Sequence, residues 1–392
     1  MKICGIICEY NPFHNGHLFQ INYLKKTLGF NFVVIALSGS FSQRALPCCL
    51  DKYSKTKCIQ NADMVCQIPT AYSINNAEVF ALAGVKTLHS VGVDYICFGV
   101  EDDDPEIFFE MLDNLTNENE IFKNNLKENL DLGLNFKQAN LISIQQSFPN
   151  GKRYAEVLEK PNNILAFEYL KAIKKCNYNI QPIFLKRSTD FKENSKTLDN
   201  TFASASKIRL LLENNENVSN LIPNQSFQIL NKFFNKNYLD SYYNMAYCML
   251  LNLDINKLQS TYLVSEGIEN RMLNSLEISK NYEEFLNNTI NKRFDKNKIN
   301  RIVLNYILGV DKQIIKNLYN NKFDYVKVLL ASKDILKVLN PNTKLIIRKK
   351  DITKIVENSQ LEIIENKSNL LSNYIHKQSL PYKDIFVKCM IK

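Results

Sequence analysis

The fold class predicted for this chain is α/β, a parallel sheet followed by a mainly α-helical, basic C-terminal domain. Three observations predict it. The first 210 residues alternate short apolar runs with helix-patterned stretches, as strand–helix–strand units do. The apolar runs lead into small or polar residues such as Ser38-Gly39-Ser40 and Gly99, where a strand gives way to a rim loop. After the polar, Asn-rich segment Glu213–Asn220, the pattern changes to helices rich in Leu, Tyr and Phe with Lys between them. Two domains are expected, 1–215 and 216–392.

In chain order, Ile3 to Ile7 reads as the first strand. Leu18 to Leu24 follows with apolar residues at helical spacing. Phe32 to Leu37, Met64 to Ile68, Tyr95 to Phe98 and Gln181 to Leu185 read as four further strands. Lys52–Gln60, Ala77–Val91, Glu106–Asn129 and Asn163–Lys174 fit helices. In a parallel sheet, ligands bind outside the C-terminal strand ends. Glu9–His17, Ser38–Arg44, Gly99-Val100-Glu101 and Lys186-Arg187-Ser188 should therefore converge on one rim. Beyond Pro223, Tyr242–Leu253 and Ile299–Leu308 read as helices and Lys344–Arg348 as a strand, whereas the basic tail Tyr374–Lys392 should not fold independently.

Hydrophobic content of 45% and charged content of 23% describe a soluble globular protein. No apolar run approaches the roughly 20 residues that span a bilayer, and the N-terminus carries no signal-peptide pattern. A cytoplasmic location, with no membrane and no DNA partner, is expected. The ten cysteines include no Cys-x-x-Cys pair, which argues against disulfides and zinc alike. Cys4 and Cys8, four apart on a strand, stand roughly 13 Å from each other, too far to share an ion with His14 and His17. Small buried thiols are the simpler reading, and no protein-bound metal is expected.

Charge is unevenly placed. Residues 221–392 hold 26 Lys and Arg against 16 Asp and Glu, and the first 220 hold 23 against 24. The entire surplus of +9 thus lies in the C-terminal part. A basic appendage on a neutral half points to a polyanion such as RNA.

The stretch from Cys8 through Glu9, Tyr10, Asn11, Pro12, Phe13, His14, Asn15 and Gly16 to His17 sits where the first strand turns into the first helix. Residues three apart share a helix face, so His14 and His17 can point at one ligand. Gly16 lets the backbone approach that ligand, and the free amides of a helix start attract phosphate oxygens. This chemistry steadies the phosphates of ATP while its α-phosphate is attacked. A second element, Ser204-Ala205-Ser206-Lys207-Ile208-Arg209, reads as a capped helix start. It is similar to the second element of the nucleotidyltransferase superfamily, a resemblance that implies amides facing the β- and γ-phosphates and Arg209 neutralising leaving pyrophosphate.

His14-Asn15-Gly16-His17 matches the H-x-G-H signature of nucleotidyltransferases and class I aminoacyl-tRNA synthetases. With the second element, the whole chain resembles the tRNA(Met) cytidine acetate ligase family. The resemblance rests on Gly5 and the run Glu9–Leu18, Ser38-Gly39 with Phe41, Gln43 and Arg44, Phe98-Gly99 with Glu101, Lys160–Leu165, and Ala203-Ser204-Ala205-Ser206 with Ile208 and Arg209. It implies a Rossmann-like (nucleotidyltransferase) sheet. It also implies an activity: ATP and acetate give acetyl-adenylate and pyrophosphate, and the acetyl group passes to the exocyclic amine of the wobble cytidine in elongator tRNA(Met), giving 4-acetylcytidine. By the same resemblance ATP would be wrapped by Ile7, Cys8, Glu9, Tyr10, Asn11, Pro12, Phe13, His14, Asn15, Gly16, His17, Leu18, Phe19 and Gln20. Gly99, Asn162, Arg187 and Ser188 would complete the nucleotide site. His14, His17 and Arg209 would be catalytic, with Ser204 and Ser206 on the phosphate helix. Mg2+ is expected with ATP. Ser40 and Ala45 depart from the family pattern, Ala45 standing where glycine is usual.

Adenylation supplies acetate with a good leaving group, so the protein's task is positioning and charge neutralisation. Glu9 and Glu101 are both candidates for taking the amine proton. Two other readings share parts of this evidence. A small-molecule adenylyltransferase would need neither the length nor the basic half, and a non-catalytic RNA-binding protein would not need the histidines.

Overall fold

The computed structural model describes residues 1–102, 104–116, 119–186, 201–347, 351, 359–378 and 389–391. Its centre is a sheet of eight strands: β1 (Ile3–Cys8), β2 (Phe32–Leu37), β3 (Met64–Gln67), β4 (Tyr95–Val100), β5 (Gln181–Lys186), β6 (Tyr325–Ala331), β7 (Lys344–Ile346) and β8 (Met390–Ile391). The order is β5-β4-β1-β2-β3-β6-β7, with β8 also on β6. β1 pairs in parallel with both β2 and β4, so the chain's direction of travel across the sheet reverses at β1. With right-handed crossovers that reversal puts helices Asn15–Lys26 and Ala77–Val91 on opposite faces. It also opens a crevice at the C-terminal ends of β1 and β4.

All five strands expected in the first 210 residues are present. Their near-continuous Val, Ile and Leu content follows from burial on both faces: Val33, Val34, Ile35, Ala36 and Leu37 have no exposed surface. Two glycines set how closely helix Ala77–Val91 approaches β1. A Cβ on Gly5 would lie 2.5 Å from Leu88, and one on Gly84 would lie 2.7 Å from Ile7. The helix stops at Gly92, whose φ of 91° suits glycine.

The single helix expected over Glu106–Asn129 is two, Glu106–Thr116 and Glu120–Asp131. The second starts at Asn119, whose side chain accepts the Phe122 amide, a capping signal inside a pattern of continuous helical spacing. Helices Phe136–Ser147 and Gly151–Glu159 were not anticipated.

Residues 216–392 are mostly helical but also contribute three strands to the common sheet. β6 lies antiparallel to β3, pairing Met64 with Ala331 and Val65 with Leu330. At its centre Lys327 interrupts the apolar run that would betray a strand. It is buried, and its ammonium donates to the Tyr53 hydroxyl at 3.0 Å. Lys344–Ile346 forms β7 as expected, although residues 348–350 lie outside the described part. Helix Gln360–His376 packs into the body and ends just inside the tail, in which Met390–Ile391 joins β6.

That last helix is fixed by a buried ion pair. Glu365 meets the Lys52 ammonium at 3.2 Å and accepts the Thr70 hydroxyl at 3.0 Å, and both partners of the ion pair are nearly without exposed surface. The helix's last residue, His376, is buried and neither ring nitrogen has a hydrogen-bond partner. Burial pushes its pKa from the ordinary 6.5 down to about 4, despite the nearby Asp51 carboxylate. The unfolded chain therefore binds a proton between pH 6.5 and 4 that the folded protein refuses, and stability should fall as pH drops through that window. In a series of urea titrations, His376→Phe should show a shallower decline over the same range. Equal slopes would remove His376 as the cause.

Candidate active site at the H-x-G-H rim

The apolar strand β1 delivers the chain to the crevice, where Tyr10 turns it through a positive φ of 45° and Asn11-Pro12 follows as a cis peptide. His14 is the cap of helix Asn15–Lys26. Its Nδ1 accepts the Gly16 amide at 3.1 Å, and the Nδ1 of His17 accepts the His14 amide at 3.3 Å. The two rings stack, with centroids 3.6 Å apart. A ring nitrogen that accepts an N–H bond carries no proton, so each neutral imidazole holds its hydrogen on Nε2 as a donor. Tyr10 and Phe13 wall the His17 ring, with centroids 4.4 and 5.8 Å away.

The second motif arrives at the same place. Ser204 caps helix Ala205–Glu213 by accepting the Lys207 amide at 3.2 Å. Arg209 then donates through Nη1 to the Asn11 carbonyl at 2.6 Å and through Nη2 to Ser206 at 3.4 Å. Those bonds use two of the five N–H groups a guanidinium carries. The charge therefore lies against the histidine loop although 191 positions of chain separate Arg209 from Leu18.

A cavity of about 2740 Å3 opens here. Ile7, Cys8, Glu9, Tyr10, Asn11, His14, Gly16, His17, Phe19 and Gln20 line it, together with Gly99, Asn162, Ser204, Ser206 and Arg209. Pro12, Phe13, Asn15 and Leu18 do not line it. Asn15 points away, its side chain donating to the carbonyls of Thr201 and Asn220 at 2.8 Å each, so it ties the loop to the later part of the chain. Arg187 and Ser188 lie outside the described residues. Asn162 donates to the Glu101 carboxylate at 2.6 Å. Glu9 lines the cavity and Glu101 does not.

Three residues that sequence reasoning missed shape this rim. Lys55 is buried, and its ammonium donates to the carbonyls of Glu9 at 2.8 Å and Ser38 at 3.1 Å, binding the loops after β1 and β2 together. Arg301 crosses from helix Lys296–Leu308 to donate to the Gln43 carbonyl at 3.0 Å, while the Gln43 amide donates to Glu9. The third is Lys52, beside Ser40. No local pattern marks any of them, because each acts through contacts distant in sequence. Ser40 is a buried scaffold, its hydroxyl accepting the Lys52 amide. Ala45 adopts φ 57°, the left-handed backbone that favours glycine, at a cost of roughly 1–2 kcal/mol.

All ten cysteines are free. Burial raises the Cys97 pKa to about 11 and that of Cys58 to about 12, so neither is a ready thiolate. Among the described residues, no group of three or more His, Cys, Asp or Glu could hold a metal ion. No described helix is long and apolar enough to cross a membrane.

The parallel run β5-β4-β1-β2-β3 with its reversal at β1 and the paired histidines together define a nucleotidyl transferase of the HIGH class, and the model of the family described as HIGH Nucleotidyl Transferase matches residues 1–383. Curated relatives include the tRNA(Met) cytidine acetate ligase of Clostridium novyi, 33% identical over 84% of each chain, and that of Clostridium tetani, 31% identical over 100% of each. The chain belongs to the tRNA(Met) cytidine acetate ligase family. In fold it is similar to the crystal structure of Thermotoga maritima TmcAL bound with alpha-thio ATP, with a TM-score of 0.88 and 24% identity over 100% of this chain and 99% of that one.

Proposed function

We propose that this enzyme condenses acetate with ATP to give acetyl-adenylate, then transfers the acetyl group to the exocyclic amine of the wobble cytidine in elongator tRNA(Met). The observation that carries the reading is the stacked histidine pair. Both Nδ1 atoms are held by backbone amides, so both rings are stacked and oriented at the start of a helix with their protons on Nε2. Such donors suit the oxygens of an α-phosphate under attack. A carboxylate oxygen of acetate bonds to the α-phosphorus as the bond to pyrophosphate breaks, and Arg209 meets the departing charge. The cytidine amine then attacks the acetyl carbonyl, and AMP leaves. Of the two carboxylates considered for the amine proton, Glu9 is the better placed, since it faces the cavity while Glu101 is turned to Asn162.

Mg2+ would enter with ATP and offset phosphate charge. The described residues supply no dedicated cage for it. The adenine and ribose would lie toward Gly99 and Asn162, as ligands do at such a crevice. The basic C-terminal half would face the RNA.

Isotope exchange between pyrophosphate and ATP, run with a panel of small acids and no tRNA, tests the first step. Exchange should depend on acetate. Exchange with a nucleotide-forming substrate instead would point to a small-molecule adenylyltransferase, and silence with every acid would contradict an adenylating enzyme.

A further inference from the structure

The cavity is larger than activation of acetate requires. Small-molecule pockets occupy roughly 300–1,000 Å3, against about 2740 Å3 here. The surplus extends to the helical hairpin Glu120–Asp131 and Phe136–Ser147, which lies in the neutral N-terminal half. That hairpin carries three lysines, Lys123, Lys127 and Lys137, and three carboxylates, Glu120, Glu128 and Asp131. Lys123 is paired with Glu120 at 2.9 Å on one face of its first helix. All three lysines line the cavity, whereas Asp131 is the one hairpin carboxylate that does. Beside them stands Phe136, on the cavity wall yet 65% exposed. Arg293 and Lys298 line the cavity from the C-terminal part.

We propose that this hairpin is a second RNA-binding wall, on which Phe136 stacks an unpaired base of the tRNA while Lys127 and Lys137 contact the flanking phosphates. The inference rests on the tRNA reading above and extends it, since charge along the sequence placed RNA on residues 221–392 alone. An exposed aromatic among cations, beside a cavity already suited to phosphate chemistry, is how single-stranded nucleic acid is held without base-specific hydrogen bonds. Charge favours RNA over a protein partner: Lys127 and Lys137 both line the cavity beside Phe136, against Asp131 as the one hairpin carboxylate there, and an apolar tip made for self-association needs no such cations.

Fluorescence anisotropy with transcribed elongator tRNA(Met) tests it on the full chain, with acetate-dependent pyrophosphate exchange as the control. Phe136→Ala should weaken tRNA binding by roughly 5- to 150-fold, the range for loss of one stacked base, and leave exchange unchanged. Phe136→Tyr should restore most of the affinity. The double variant Lys127→Gln, Lys137→Gln should flatten the log–log salt dependence by about 0.7 per lost phosphate contact. Wild-type binding that both variants leave intact overturns the inference alone. So does a shift from dimer to monomer in Phe136→Ala with unchanged tRNA affinity, which would assign the tip to self-association. A wild-type enzyme that holds no tRNA removes the underlying reading and the inference with it.

Discussion

His17→Ala is expected to lower acetate-dependent pyrophosphate exchange by roughly 100- to 1000-fold, the usual cost of losing one placed donor at a charge-developing centre. The imidazole accepts the His14 amide at 3.3 Å and packs against the rings of His14, Tyr10 and Phe13, and the lost cap alone should lower stability by about 1 kcal/mol. Circular dichroism and a urea titration should show a native protein while exchange is nearly gone. A folded His17→Ala enzyme with near-normal exchange would dissolve the assignment of the histidine pair.

Glu365→Ala should produce the largest loss of stability. Its carboxylate is buried against Lys52 at 3.2 Å, with Gln67 and Thr70 also donating to it. Breaking a buried pair by deleting one partner leaves an uncompensated charge, at a cost of about 3–5 kcal/mol. Lys52 begins the helix beside the active-site loop after β2, and Glu365 lies on the last long helix. The same variant thus reports how firmly the C-terminal part is joined to the catalytic rim. A midpoint shift equivalent to less than 1 kcal/mol would mean that the two parts are joined mainly through β3 and β6.

Much of the site was legible in the sequence because its chemistry is local. His14, Gly16 and His17 fall within four residues, and strand, cap and helix follow from the apolar run before them and the spacing after. Ser204 and Arg209 were legible for the same reason. That the Asn15 side chain reaches Thr201 and Asn220 was not legible, because such a long-range tie leaves no mark near position 15. Lys55 and Arg301 escaped because their partners are backbone carbonyls, which every residue has. β6 was hidden by Lys327, whose buried ammonium finds Tyr53 from another element. Charge counted along the chain located a basic half but could not reveal that the lysines of a neutral hairpin line the cavity.

The most direct test of the account is mass analysis of nucleosides from elongator tRNA(Met) incubated with the enzyme, ATP and carbon-13-labelled acetate. Labelled 4-acetylcytidine should form at the wobble position only when ATP and acetate are both present. Unmodified cytidine under those conditions, or acetylation that proceeds without ATP, would contradict it.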